Sequence, residues 1–136
     1  MKKFPLAVIV VLVFVLGVVN ASALYWHLYF YIWWLDIPMH LLGGFWVALS
    51  ALVFYYDTRW KYKKDRTSAF AFRYAFLVTL AVGLGWEAFE LLADKLSGTI
   101  NVNIGDTLSD IMNDMIGAAC ATFFFLRKGY NKTHGT

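Results

Sequence analysis

Four long apolar stretches separated by short polar interruptions set the pattern of this chain. The first opens at Phe4 and continues to Leu35, broken only by Asn20, Ser22 and His27. A membrane-crossing helix needs about 20 residues, so a helix near 4–25 is expected. Tyr25, Trp26 and the run Tyr29 to Trp34 then fall at its end, where aromatic rings gather at a membrane–water boundary. Asp36-Ile37-Pro38 restarts the chain, with Pro38 suited to a first helical turn and Asp36 to its N-cap. The second span is predicted over 38–56, with Gly43-Gly44 as its close-packing point against another helix. The third covers 70–93, where Gly83 and Gly85 allow close approach, and the fourth covers 106–126. Between them lie a polar, basic loop at 57–69 and a short polar loop at 94–105, in which Asp94 beside Lys95 reads as solvated.

Composition agrees with this segmentation. Of 136 residues, 60% are hydrophobic and 19% aromatic, well above the apolar share of about 45–50% in soluble domains. A soluble domain of this length has too little interior to hide so much apolar surface. With no internal repeat or linker, the expectation is an all-α, polytopic membrane four-helix bundle, a single transmembrane domain over residues 1–136. The lone Cys120 sits in an apolar run and reads as a small core or lipid-facing residue.

The net charge of +3 reads as topology rather than as nucleic-acid affinity, because of where the basic residues fall. Lys2 and Lys3, six basic residues from Arg59 to Arg73, and Arg127, Lys128 and Lys132 all lie on one side of a four-span chain. Only Lys95 lies on the other. Basic residues concentrate on the cytoplasmic side, so both termini are expected there, in a bacterial-type cytoplasmic (inner) membrane. A rival reading exists for the N-terminus: two lysines, an apolar core and Ala21-Ser22-Ala23 also make a signal peptide with an A-x-A cleavage site. The 57–73 loop would hold anionic lipid headgroups, making membrane lipids the expected partner.

The acids show the opposite bias. Seven of nine (all but Asp57 and Asp65) fall on the outer side or in the outer halves of the spans. In the stretch GDTLSDIMNDMIG, Asp106, Asp110 and Asp114 repeat every four residues and so share a helix face. Asp36 and His40 share a face at the outer end of the second span, as do Glu87, Glu90 and Asp94 on the third. At 1.5 Å per residue, Asp110 and Asp114 descend about 6 and 12 Å below Asp106. Leaving an Asp unpaired in a membrane costs roughly 2.5–3.5 kcal/mol on insertion scales. The expected result is an outward-facing pocket of His40, Glu87, Glu90 and Asp110, with Asp106 and Asp114 as further candidate metal ligands. Asp36 and Asn113 stand behind them.

Carboxylates with one imidazole suit a hard or borderline divalent metal ion. The set has neither the Glu-x-x-His pairs of di-iron bundles nor an HExxH or cysteine zinc signature, so it does not name the ion. Two other readings remain: carboxylates kept protonated, and a structural polar network locking the helices together. Asp36 and Asp106 also suit plain N-caps, Trp86 an interface anchor, and Met39, Met112 and Met115 packing.

The pattern Asp36-x3-His40-x2-Gly43-Gly44, Trp86-Glu87-x2-Glu90 and Asp106-Thr107-x2-Asp110-x3-Asp114-x2-Gly117-Ala118 resembles the YjdF-like small bacterial membrane proteins. It is more distantly similar to the VanZ-like family, whose D-x3-H and D-x2-N-x3-G elements match Asp36/His40 and Asp110/Asn113/Gly117. The resemblance spans residues 36–118 and implies a polytopic helical bundle with a polar pocket at the cell envelope. The chain lacks the Gln and Arg that VanZ-like proteins carry between the third and fourth spans, which argues against a glycopeptide-resistance role.

Two functional classes lead, with a structural or partner subunit whose buried carboxylates stay protonated as a third reading. One is a cation- or envelope-lipid-binding module, with transport as an extension that four spans would serve only as a homo-oligomer. The other is a metal-dependent membrane enzyme acting on a lipid-linked phosphate, in which a carboxylate or His40 works as general acid or base. Ser109 shares the acidic stretch but has no triad signature.

Overall fold

The structure, a computed structural model, describes residues 4–58, 67–98 and 103–131. Every regular element among them is helical: α1 Leu6–Tyr25, α2 Leu28–Tyr31, α3 Asp36–Thr58, α4 Ser68–Ser97 and α5 Ile104–Arg127. The all-α expectation holds. Three of them, α1, α3 up to Asp57 and α4, are long and apolar enough to cross a membrane, by length and composition. Helix α5 has 24 residues, about 36 Å at 1.5 Å each, but its N-terminal half carries the three aspartates and lowers its hydropathy. It is not among those three.

Local signals explain the boundaries. Thr67 Oγ1 accepts from Phe70 N at 3.2 Å and caps α4, supplying one of the partners that a first helical turn lacks. Helix α4 ends at Gly98, whose φ of +75° is readily adopted only without a side chain. It therefore runs past the expected end at 93, and Asp94 and Lys95 are helical rather than loop. Asn103 caps α5 by accepting from Asp106 N at 3.4 Å, so Asp106 lies in the first turn and is not the cap. Asp36 likewise begins α3 from inside it. Helix α2, a single turn, was not anticipated; it follows His27, which adopts a left-handed φ of 53°.

Helices α3, α4 and α5 form the core. At one end His40 of α3 meets Asp114 of α5, and at the other Tyr56 packs on Phe125, ring centroids 5.3 Å apart. Helices α3 and α5 therefore run parallel. Helix α4 returns between these ends: Gly83 abuts the Asp114 side chain, while Phe70 and Tyr74 both pack 5.0 Å from Tyr55. The α4 face that does this is a stripe at strict four-residue spacing, Ala71, Ala75, Thr79, Gly83 and Glu87, all buried.

Small residues let the backbones touch. A β-carbon on Gly44 would collide with the Asp114 backbone, and one on Gly117 with the backbone of Leu41 and Phe45. Of the two glycine pairs singled out from sequence, Gly44 meets a backbone and Gly83 the Asp114 side chain, while Gly43 and Gly85 face open space. Helix α1 lies against α3, where Trp46 Nε1 donates to the Ile9 carbonyl at 3.0 Å. Ala23 is its one buried residue. An apolar helix exposed on nearly every side belongs in lipid.

Most of the basic loop, Arg59 to Arg66, lies outside the described residues, as do Lys2, Lys3 and Lys132 and residues 99–102 of the outer loop. The reading of those segments as lipid-binding or as topology markers therefore rests on sequence.

Candidate metal centre

The acid-bearing ends of α3, α4 and α5 converge around one imidazole. His40, on the second turn of α3, is only 8% exposed. Its Nε2 lies 3.6 Å from Asp36 Oδ1, one turn back on the same helix. Its Nδ1 lies 3.4 Å from Asp114 Oδ1 on α5. Two opposite ring edges thus face two different carboxylates. Asp110, one turn before Asp114, is 4% exposed, and Glu87 on α4 is 7% exposed.

Two triads among the described residues bring ligand atoms within 4.8 Å of one another: Asp36, His40 and Asp110, and His40, Glu87 and Glu90. His40 is common to both. Three helices therefore contribute to a single cluster of four carboxylates and one imidazole. Asp36, expected behind the candidate ligands, belongs to the first of these two groups. Among the described residues, His40 pairs with Asp36 and with Asp114, and no ion pair joins Asp110, Glu87 or Glu90 to a basic side chain, although a buried charge is costly unless paired or coordinated.

The remaining candidates are placed differently. Asp114 is not in either triad; it contacts the histidine from behind. Asp106 is exposed in the first turn of α5 and belongs to neither triad. Asn113 donates from Nδ2 to Ser109 Oγ at 3.5 Å on its own helix. It too stands outside the triads.

Several supporting contacts were missed from sequence. Trp86, expected as an interface anchor, donates from Nε1 to Glu90 Oε1 at 2.8 Å and holds that half-exposed carboxylate on the helix surface. The Tyr29 hydroxyl donates to Asn20 Oδ1 at 2.6 Å, which gives the one amide in the first apolar run a partner and ties α2 back to α1. Burial, together with the nearby Asp36 and Glu90 carboxylates, pushes the Tyr29 phenol above its ordinary range, so this tyrosine borders the acid cluster. Nothing in the sequence links positions 20 and 29 before α1 is known to end at Tyr25. The i, i+4 spacing of Trp86 and Glu90, by contrast, did carry that contact. Met112, expected to pack, is 64% exposed.

Residues 2–130 match the model of a family described as predicted membrane protein (DUF2238). The chain belongs to that family. The match is compatible with the YjdF-like resemblance and does not extend to the VanZ-like one. No curated protein and no solved structure matches the chain.

Proposed function

From that membership in a membrane-protein family, we propose that the chain is a divalent-cation-binding module of the bacterial inner membrane. The observation that carries this is the convergence of Asp36, His40, Glu87, Glu90 and Asp110 from three helices, with ligand atoms within 4.8 Å in each triad. Four ionised carboxylates around one imidazole are costly to bury unless they take up protons or a cation sits among them, and the donor set favours the cation. Oxygen-rich donors with one nitrogen suit Mn²⁺, Fe²⁺, Zn²⁺ or a harder ion. Because His40 is common to both triads, they are read as parts of one site, and a single ion per chain is expected.

In this reading α5 is the fourth span, its acids satisfied inside the bundle and its apolar half crossing the membrane with both termini cytoplasmic. The site then lies toward the outer face, and the segment leading into Asp36 carries the exposed rings of Trp26, Phe30, Tyr31, Trp33 and Trp34, which suit the headgroup region. A bound ion would offer its open positions to water or to a lipid phosphate. Ser109 is exposed and accepts from Asn113, so the stretch presents no activated serine nucleophile.

The test is elemental analysis and metal titration of the purified protein in detergent. Wild type loaded with Mn²⁺ or Zn²⁺ should retain one ion per chain, and Glu90→Gln and Asp110→Asn should each weaken retention at least about tenfold. Because carboxylate and imidazole ligands must shed protons to bind, affinity should fall as pH is lowered. A wild-type protein that takes up no ion would end this reading.

A further inference from the structure

We infer that Asp114 is a positioning residue, which fixes the His40 ring so that Nε2 is presented to the cation, and that Gly83 makes the space this requires. The inference rests on the cation-binding reading for its consequence, but its geometry stands independently. Asp114 Oδ1 lies 3.4 Å from His40 Nδ1. The other oxygen, Oδ2, lies 2.6 Å from where a β-carbon on Gly83 would stand. The carboxylate is therefore held between α3 and α4, one oxygen on the imidazole and the other in a notch that only glycine provides.

The backbone holds it equally firmly. Gly44 packs directly on the Asp114 main chain, so α5 cannot rotate to withdraw the carboxylate without separating from α3. Asp114 is also nearly buried, at 7% exposure, and water is a poor competitor for the Nδ1 proton there. A neutral imidazole carries one N–H. An acceptor fixed at Nδ1 places the proton on that nitrogen and leaves the Nε2 lone pair on the side of the ring that faces Asp36, where a cation shared with Asp36 and Asp110 would take it. A carboxylate behind a ligating histidine sets its tautomer and orientation and raises its basicity, and loss of such a partner costs about 10–100-fold in metal affinity. This separates Asp114 from the other acids of its stripe: it acts through His40.

The experiment reads the tautomer directly. Side-chain ¹⁵N spectra of histidine-labelled full-length protein are recorded metal-free at a pH where the imidazole is neutral, then after loading with Zn²⁺. His40 is assigned by loss of its signals in His40→Gln. Wild type should show the Nδ1–H form, and Zn²⁺ should shift Nε2. Asp114→Asn keeps an acceptor and should keep the Nδ1–H form with weakened Zn²⁺ affinity. Asp114→Ala and Gly83→Ala should both populate the Nε2–H form and lose about 10–100-fold in Zn²⁺ affinity. Gly85→Ala, at a glycine facing open space on the same helix, should do neither.

A wild-type Nε2–H form, or a tautomer unchanged in Asp114→Ala, overturns the inference, as does Zn²⁺ ligation through Nδ1. The two readings fail separately. An Asp114-dependent tautomer in a protein that takes no Zn²⁺ refutes the cation site and leaves the positioning role standing. Zn²⁺ retained undiminished in Asp114→Ala and Gly83→Ala refutes the positioning role alone.

Discussion

Beneath the acid cluster, one residue of α4 is out of keeping with its surroundings. Thr79 lies in the buried stripe between Ala75 and Gly83, is 1% exposed, and its Oγ1 has no hydrogen-bond partner among the described residues. Threonine on a helix commonly bonds the carbonyl four residues back, as Thr122 does to Ala118 at 2.8 Å on α5. Thr79 forgoes even that. An unsatisfied buried hydroxyl costs about 1–3 kcal/mol, and valine has nearly the same shape without it. Thr79→Val should therefore raise the stability of the detergent-solubilised protein by about 1 kcal/mol, read as a higher unfolding midpoint, with cation retention unchanged. A lower midpoint would show that the hydroxyl is bonded through a buried water and holds the bundle together. The sequence placed His40, Glu87, Glu90 and Asp110 in one pocket because charge in an apolar helix is expensive and must converge. It could not separate Asp114 from Asp110, since both share a stripe; only the position of the His40 ring sets them apart, Asp114 against Nδ1 and Asp110 in a group with Asp36.

Between elements, the decisive contact is the parallel pair α3 and α5, where glycine replaces side-chain packing. Gly117 meets the backbone of Leu41 and Phe45, so any side chain there forces the helices apart. Overpacking of this kind costs about 1–3 kcal/mol. Gly117→Ala should lower the unfolding midpoint by that order and weaken cation binding as well, because α5 carries Asp110 and Asp114. Gly43→Ala, with nothing within 4 Å, should be neutral or slightly stabilising, since alanine favours the helix by up to about 1 kcal/mol over glycine. Equal effects at the two positions would show that the α3–α5 approach is looser than the glycine contacts indicate. Sequence marked glycine pairs as contact points but not which member of each pair faces inward. The acids supply the missing phase: Gly44 is four residues from His40 and Gly83 four from Glu87, so each inward glycine shares the face of a site residue. Helix α2 was illegible for a different reason, since a single turn has no periodicity to read.

At the scale of the whole molecule, charge separates along the helices. Apart from Asp57, the described acids gather with His40 where α3 and α5 begin and α4 ends, while Arg73, Arg127 and Lys128 mark the opposite end of the bundle. The aromatic core of Tyr56, Phe125 and Tyr130 occupies that basic end. Phe4 reaches it too, its ring 5.1 Å from Tyr130, so α1 begins at the level where α5 finishes. Helices whose basic ends share one level meet the positive-inside rule together or not at all. Helix α5 is the weak point, because its acids keep its hydropathy below that of the three apolar spans. The test is accessibility of single cysteines in whole cells, after the exposed Cys120 is replaced by serine. Lys95→Cys, in the last turn of α4, should react with an impermeant thiol reagent applied outside, and Lys128→Cys only after the membrane is opened. If both react from outside, α5 does not cross and the acid site sits on a three-span scaffold. If only Lys95→Cys reacts, the site faces outward and its carboxylates are buried by a helix that goes on to span.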